Sequence, residues 1–359
     1  MNERTMPPFS PEAFRFSGFE TDEAAGTVRL LYGFSGGPDF CETVDFGRPL
    51  PAPASPLRPG FEAALRALHL AAGISYYKAL LPPKMELSGP PLGRTERDFF
   101  QTLYENGLGE FSARNRIEAW KRVNFPFADV PAPPARPAPL GRKSAVLIGG
   151  GKDSLVSLEI LKNANEPAVL FAVNPQKPMI DCAAASGLPL VSVRRTLDDK
   201  LFALNAAGAL NGHIPVTAVV SLIAVAAAFV HGYDAVILSN ERSADEGNTV
   251  FAGRRVNHQY SKTLPFERLL ADHVRDFVSP SLSYFSLLRP LSEMHIARLF
   301  AKVDRYDAVF TSCNRAFVIR ARGERMRWCG DCPKCRFAFL ILAAAMDKAR
   351  IERIFGKNL

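Results

Sequence analysis

Long hydrophobic runs are missing from this 359-residue chain: the longest apolar stretch, Leu222 to Val230, is far short of the about 20 residues that a membrane helix needs. No basic start leads into an apolar core and a cleavage site either, since Met1-Asn2-Glu3-Arg4-Thr5 runs straight into Pro7-Pro8. The expectation is a cytoplasmic protein with no membrane contact. Cysteine is scarce, six in all, and four of the six crowd into the last quarter, which argues for metal rather than disulfides. Two familiar nucleotide loops are also absent. Val146 and Asp153 stand where a Walker A loop needs Gly and Ser or Thr, and Ser154 stands where the dinucleotide fingerprint needs its last glycine.

What is present is a core-forming composition, 47% hydrophobic, enough for two domains. Net charge is +8, but residues 1–143 hold 17 Lys and Arg against 16 Asp and Glu, so the basic excess lies beyond them. It concentrates in Arg315, Arg320, Arg322, Arg325, Arg327, Lys334 and Arg336, opposed only by Glu324 and Asp331. Such a field suits an anionic substrate or nucleic acid, and equally a solvated loop.

The five prolines between Pro131 and Pro139 forbid a helix or central strand and read as a semi-rigid linker over 131–143. Before it, residues 1–130 show short strands (Arg15–Glu20, Thr27–Tyr32, Cys41–Phe46) and helical spacing over Phe61–Leu81 and Arg94–Asn106, a small α+β domain expected to recognise substrate. After it, residues 144–359 alternate apolar strands with helices. The strands expected are Ala145–Ile148, Ala168–Val173, Leu190–Val193, Ala235–Leu238, Ser283–Leu288 and Ala308–Phe310. Near-continuous apolar strands alternating with helices are the form of a doubly wound parallel α/β sheet.

The strand Ala145–Ile148 runs into Gly149-Gly150-Gly151-Lys152-Asp153-Ser154 and then a helix. Glycines at the carboxyl end of a first strand let backbone N–H groups approach phosphate oxygens at a helix N-terminus. The stretch resembles the S-G-G-x-D-S loop of PP-loop ATP pyrophosphatases of the HUP type, with Gly149 in place of the first serine. That resemblance implies cleavage of ATP to AMP and pyrophosphate, with Asp153 helping to hold Mg²⁺, Ser154 donating to phosphate and Lys152 reaching a phosphate oxygen. A tight βα turn without a ligand is the plainer alternative.

Cys329-x2-Cys332-x2-Cys335, with Cys313 upstream, offers the four thiolates of a closed structural zinc site; an iron–sulfur cluster or free thiols are the alternatives. Cys41 and Cys182 lack partners and read as fillers. Two polar segments follow at strand ends. In Ser239–Asn248, Asn240 is placed with the nucleotide, and Glu241, Asp245 or Glu246 suit Mg²⁺ or acid–base chemistry, between which the sequence does not choose. In Val256–Lys262, His258 is a candidate acid–base group and Lys262 a candidate anion contact, though a histidine in such a loop is as often structural. Asn211–Thr217 reads as a loop with Thr217 capping the next helix.

Together the glycine loop, Ser75-Tyr76-Tyr77-Lys78, Ile214-Pro215-Val216-Thr217, Ser239–Ser243, Val256–Gln259, Leu288–Glu293 and Trp328-Cys329-Gly330-Asp331-Cys332-Pro333-Lys334-Cys335-Arg336 resemble the UDP-N-acetylmuramoyl-L-alanyl-L-glutamate epimerase family, MurL. The resemblance implies an ATP-consuming isomerase of peptidoglycan synthesis, acting on a UDP-linked muramoyl dipeptide through a carboxyl-adenylate. For proton transfer it directs attention to Glu241, Glu246, His258 and Lys262. Rival readings are a 7-cyano-7-deazaguanine synthase-like enzyme, a tRNA-modifying PP-loop enzyme, and a nucleotide- or RNA-binding module without turnover. The oligomeric state stays open.

Overall fold

A computed structural model describes residues 9–129, 134–317 and 327–359. It is a mixed α/β protein of two compact units, each visited by the chain more than once. The first unit takes residues up to Gly141 with 193–234 and 244–284; the second takes 142–192, 235–243 and 285–359. The Pro-rich segment forms neither helix nor strand over 134–143, and Pro131–Pro133 lie outside the described residues.

In the first unit, β1 (Ala13–Asp22) lies antiparallel to β2 (Thr27–Phe34), and β2 antiparallel to β3 (Asp39–Asp45); β4 (Lys84–Leu87) runs parallel to β1. Alternation at period 2 places Phe14 and Phe16 opposite Phe34 and Tyr32 on one buried face. Each ring so buried is worth about 1.5–3 kcal/mol. The helical spacing expected over Phe61–Leu81 is realised in two pieces, Arg58–Ala72 and Ile74–Tyr77. The break comes at Gly73, where a Cβ would lie 2.5 Å from the Phe16 ring, so only glycine lets the chain turn this close to the sheet.

In the second unit, β5 (Ser144–Leu147) is flanked by parallel β6 (Ala168–Val173) and, after β7 (Leu190–Thr196) in the chain, by parallel β8 (Ala235–Leu238). The start of β7 continues beyond β6 through Leu170 N–H to Pro189 O, 2.9 Å. The end of β7 belongs to the first unit, antiparallel to β3, where Arg195 clasps the buried Glu42 through two bonds of 2.7 and 3.1 Å. The first unit also holds a small hairpin, β9 (Thr249–Phe251) and β10 (Arg254–Val256). The last strand among the described residues is β11 (Ser283–Ser286).

Two sequence expectations fail locally. Ala308–Phe310 is a turn rather than a strand, because the N–H groups of Val309 and Phe310 both return to Tyr306 O at 2.9 Å and are no longer offered to a sheet. Thr217 does not cap its helix, Val216–His231; Pro215 holds the cap position and its carbonyl accepts from Ala218, leaving Thr217 inside the first turn. No helix among the described residues is long and apolar enough to cross a membrane.

Candidate active site and metal centre

The glycine loop joins β5 to the helix Lys152–Asn163. Gly150 has φ +81°, a left-handed conformation that glycine alone adopts without cost, and a Cβ there would touch Pro178 and Phe317 at 3.4 and 3.5 Å. Gly151 stands at the N-cap in extended conformation, and no side chain caps the helix. A Cβ on Gly149 would meet open space, so the serine usual at that place would fit. Gly150→Ala is therefore expected to cost about 1–2 kcal/mol and lower the melting temperature. Gly149→Ser should change it little, and thermal melts in which both variants fall equally would refute this reading of the loop.

Lys152 is buried although it opens its helix, at 6% exposure. Its Nζ lies 2.6 Å from Asp153 Oδ1 and also bonds Glu293 Oε2. Burial works against its charge, but the two carboxylates more than compensate and raise its pKa. Glu293 opens the helix Glu293–Phe300, which packs against Lys152–Asn163. Burial pushes its carboxyl up; Lys152 opposes this, while Asp153 and Glu241 add to it. Lysine 152 is thus held by carboxylates rather than extended toward open space.

Glu241 is buried, accepts the N–H of Ser243, and belongs to a loop pinned at several points. Asn240 Nδ2 donates to Ser286 Oγ at 3.0 Å, Arg289 Nη1 to Glu241 O at 2.9 Å, and the hydroxyls of Ser239 and Ser157 meet at 2.7 Å. Lys152, Asp153, Glu241 and Glu293 thereby form one electrostatically coupled cluster in the second unit, with three acids to one base.

The remaining expected residues belong to the first unit. Glu246 is exposed, and Lys262 closes the short helix Tyr260–Lys262. His258 N–H donates to Asn248 Oδ1 at 2.9 Å, its ring lies 6.5 Å from that of His213, and its Nδ1 is buried with no hydrogen-bond partner. Burial pushes His213 below its ordinary value; Glu110 opposes this and His258 adds to it. Asp245 serves structure: Oδ1 accepts the N–H of Leu264 at 2.6 Å, at the start of the helix Leu264–His273.

The four cysteines converge. All four Sγ atoms lie within 4.8 Å of one another, with Cys313–Cys332, Cys329–Cys335 and Cys332–Cys335 at 3.9, 3.7 and 3.5 Å. A tetrahedral ion with metal–sulfur bonds near 2.3 Å requires edges of about 3.8 Å, so three of the spacings match a metal ion such as zinc and the set as a whole lies close to it. Gly330 turns the knuckle at φ +68°, and Cys332 N–H points at Cys329 Sγ, 3.4 Å away. Burial pushes the Cys329 thiol up, but the backbone N–H groups of Asp331 and Cys332 and the neighbouring thiols bring it down to about 6. Cys182 is a different case, buried and pushed up to about 12, as suits a filler.

The basic segment is less open than its composition implies. Arg315 and Arg336 each lie 3.1 Å from Asp331, and Arg327 spends its guanidinium on the carbonyls of Asp307 and Ile354. Arg320, Arg322, Glu324 and Arg325 lie outside the described residues.

Residues 7–287 match the MurL N-terminal domain and residues 309–359 the MurL C-terminal domain. The chain belongs to the MurL family. It is 44% identical over 352 residues to a protein of Xanthomonas oryzae pv. oryzae, covering 96% of this chain and 77% of the relative. A Micromonospora protein is 44% identical over 355 residues (97% and 78%), and one from Salinispora tropica 43% over 360 (97% and 76%). All three are named UDP-N-acetyl-alpha-D-muramoyl-L-alanyl-L-glutamate epimerase. The MurL N-terminal domain contains the glycine loop and Glu241, while the MurL C-terminal domain holds all four cysteines. Glu293 falls between the two matches. It closes the Leu288–Glu293 stretch of the family resemblance, which gave it no role in the site.

Proposed function

We infer that this chain inverts the terminal L-glutamate of UDP-N-acetylmuramoyl-L-alanyl-L-glutamate to D-glutamate, the isomerisation for which its relatives are named. The observation that carries this is identity of 43–44% sustained over 96–97% of the chain. The route we propose is ATP-driven and runs on a PP-loop fold of the HUP type, doubly wound around β5. The parallel strand, left-handed glycine and uncapped helix start support that reading.

In this route the glutamate α-carboxylate attacks the α-phosphorus of ATP, and pyrophosphate leaves into the backbone amides of Gly149–Gly151 with Ser154 and Lys152. Asp153 would hold Mg²⁺, which would neutralise phosphate charge, and Asn240 would position the nucleotide. Forming this mixed anhydride removes the carboxylate charge, so the α-carbon loses its proton to form a delocalised enolate instead of a dianion. Glu241, Glu246, His258 and Lys262 are the proposed proton-transferring groups. Reprotonation on the opposite face gives the D centre, and water releases AMP. The 1–130 segment serves recognition of the UDP-linked substrate, and zinc at Cys313, Cys329, Cys332 and Cys335 is structural.

With the L-Ala-L-Glu muramoyl nucleotide and ATP, AMP and pyrophosphate should appear. In D₂O the D-glutamate product should carry one deuterium at its α-carbon. Pyrophosphate release with deazaguanine carboxylate or tRNA instead would assign the chain to another PP-loop activity, and a product without deuterium would sink the proton-transfer route.

A further inference from the structure

A cavity of about 470 Å³ opens wholly within the first unit, walled by β1, the helix Arg58–Ala72, the chain around Leu87–Leu92 and the end of the helix Leu264–His273. It is too large for a packing defect. An engineered void of about 150 Å³ already admits a benzene-sized guest, and pockets for small organic ligands begin at about 300 Å³. Rings form much of the wall: Phe16 and Phe19 from β1, His69 from the helix, and His273 and Phe277 from a segment distant in sequence.

The wall offers no free charge to an anion. Arg66, its one cation among the described residues, donates to the carbonyls of Pro90 and Pro91 at 3.1 and 3.2 Å and pairs with Glu96 at 3.3 Å. Both histidines are neutral. His69 Nε2 lies 2.9 Å from the Leu31 carbonyl, which can only accept, so this nitrogen carries the proton. Burial brings the ring down to about 4 against that bond. Burial, with Arg66 adding to it and Asp276 opposing, brings His273 down to about 3. Glu62 and Glu96 are on the wall as well, so a phosphate or carboxylate is repelled and an uncharged ring is favoured.

His273 adds a polar requirement. Its ring stacks on Phe99 at 4.2 Å and on Phe277 at 5.0 Å, yet its Nδ1 is buried with no hydrogen-bond partner among the described residues. A third phenyl ring would serve packing alone without that cost. A neutral imidazole brings one donor and one acceptor, the complement of a ring that carries both N–H and C=O groups.

We propose that this cavity seats the uracil and ribose of the UDP-linked substrate, with the base stacked among the aromatic rings and the diphosphate left outside. This rests on the epimerase reading above, which supplies a UDP-linked ligand, and it concerns binding within the first unit alone. Uracil is the planar, uncharged end of that molecule. Its faces suit aromatic side chains, and its N–H and carbonyls suit a neutral histidine.

The test is calorimetric binding of uridine to the full-length protein, without ATP and without turnover. Wild type should bind uridine, the UDP-linked muramoyl dipeptide should displace it one for one, and adenosine should displace it at least about tenfold less well. Ala63→Phe fills the cavity from the helix, and Ser88→Trp obstructs it from an exposed position. Each should weaken uridine binding by about tenfold or more. The exposed site of Ser88→Trp lets that variant fold and melt as wild type does, so it decides alone if Ala63→Phe does not fold. Wild type that binds no uridine, undiminished binding in a folded variant, equal displacement by adenosine, or uridine and the muramoyl nucleotide bound together would each overturn the proposal. Failure of the epimerase reading looks different: wild type would bind uridine as described yet return the muramoyl nucleotide without deuterium and form no AMP.

Discussion

Lys152→Met should lower ATP-dependent pyrophosphate release by about 10³-fold or more and destabilise the second unit by about 3–5 kcal/mol. Lys152 is the cation among Asp153, Glu241 and Glu293, and its ammonium is bonded to two of them. Without it, the like charges of buried Glu241 and half-buried Asp153 and Glu293 face each other. Glu293, already raised by burial, should then climb further and hold its proton. The sign follows from linkage. A carboxyl whose folded pKa lies above its unfolded value stabilises the fold below the unfolded pKa, and that contribution is lost as pH rises through the folded pKa. The variant should therefore melt higher near pH 5 than near pH 8. Adding Glu293→Gln should restore much of the stability at pH 8 but none of the pyrophosphate release. A single variant that melts lower at pH 5 would show that the carboxylates are not what Lys152 holds in check.

Stripping metal with a strong chelator, or replacing Cys335 by Ser, should lower the melting temperature on the order of 10 °C or more and release one equivalent of metal per chain. Cys335 is fully buried in a core that includes Trp328, whose ring meets that of Phe310 edge-on at 5.3 Å and that of Phe355 at a tilt at 4.4 Å. Four thiols at these spacings repel as thiolates and pack poorly as thiols; an ion turns them into a cross-link between Cys313 and the helix Pro333–Ala343. Elemental analysis identifies the metal. A chain that contains none and melts identically after chelation overturns the assignment.

Features encoded locally were legible in the sequence. The apolar runs of β5, β6 and β8 announce themselves as buried strands, and the glycine loop follows from residues adjacent in the chain. The grouping of the four cysteines was legible too, because their spacing in the chain already suggests a shared ion. Glu293 was not legible because its partnership with Lys152 spans 141 positions and depends on how two helices pack. Arg327 looked like a free cation, yet carbonyls of Asp307 and Ile354 claim it, which composition cannot reveal. Ala308–Phe310 has strand propensity, and a single carbonyl, that of Tyr306, diverts two of its donors.

Thr311 N–H bonds Gly150 O at 2.9 Å, and two residues on, Cys313 N–H bonds Thr311 Oγ1 at 3.0 Å. A single residue, Thr311, thus links the loop proposed to hold pyrophosphate to a cysteine of the candidate metal centre. Binding at either place must obey reciprocity: whatever factor the metal contributes to nucleotide affinity, nucleotide contributes to metal affinity. If nucleotide and ion do bind there and Thr311 couples them favourably, nucleotide should slow the loss of the ion to a chelator.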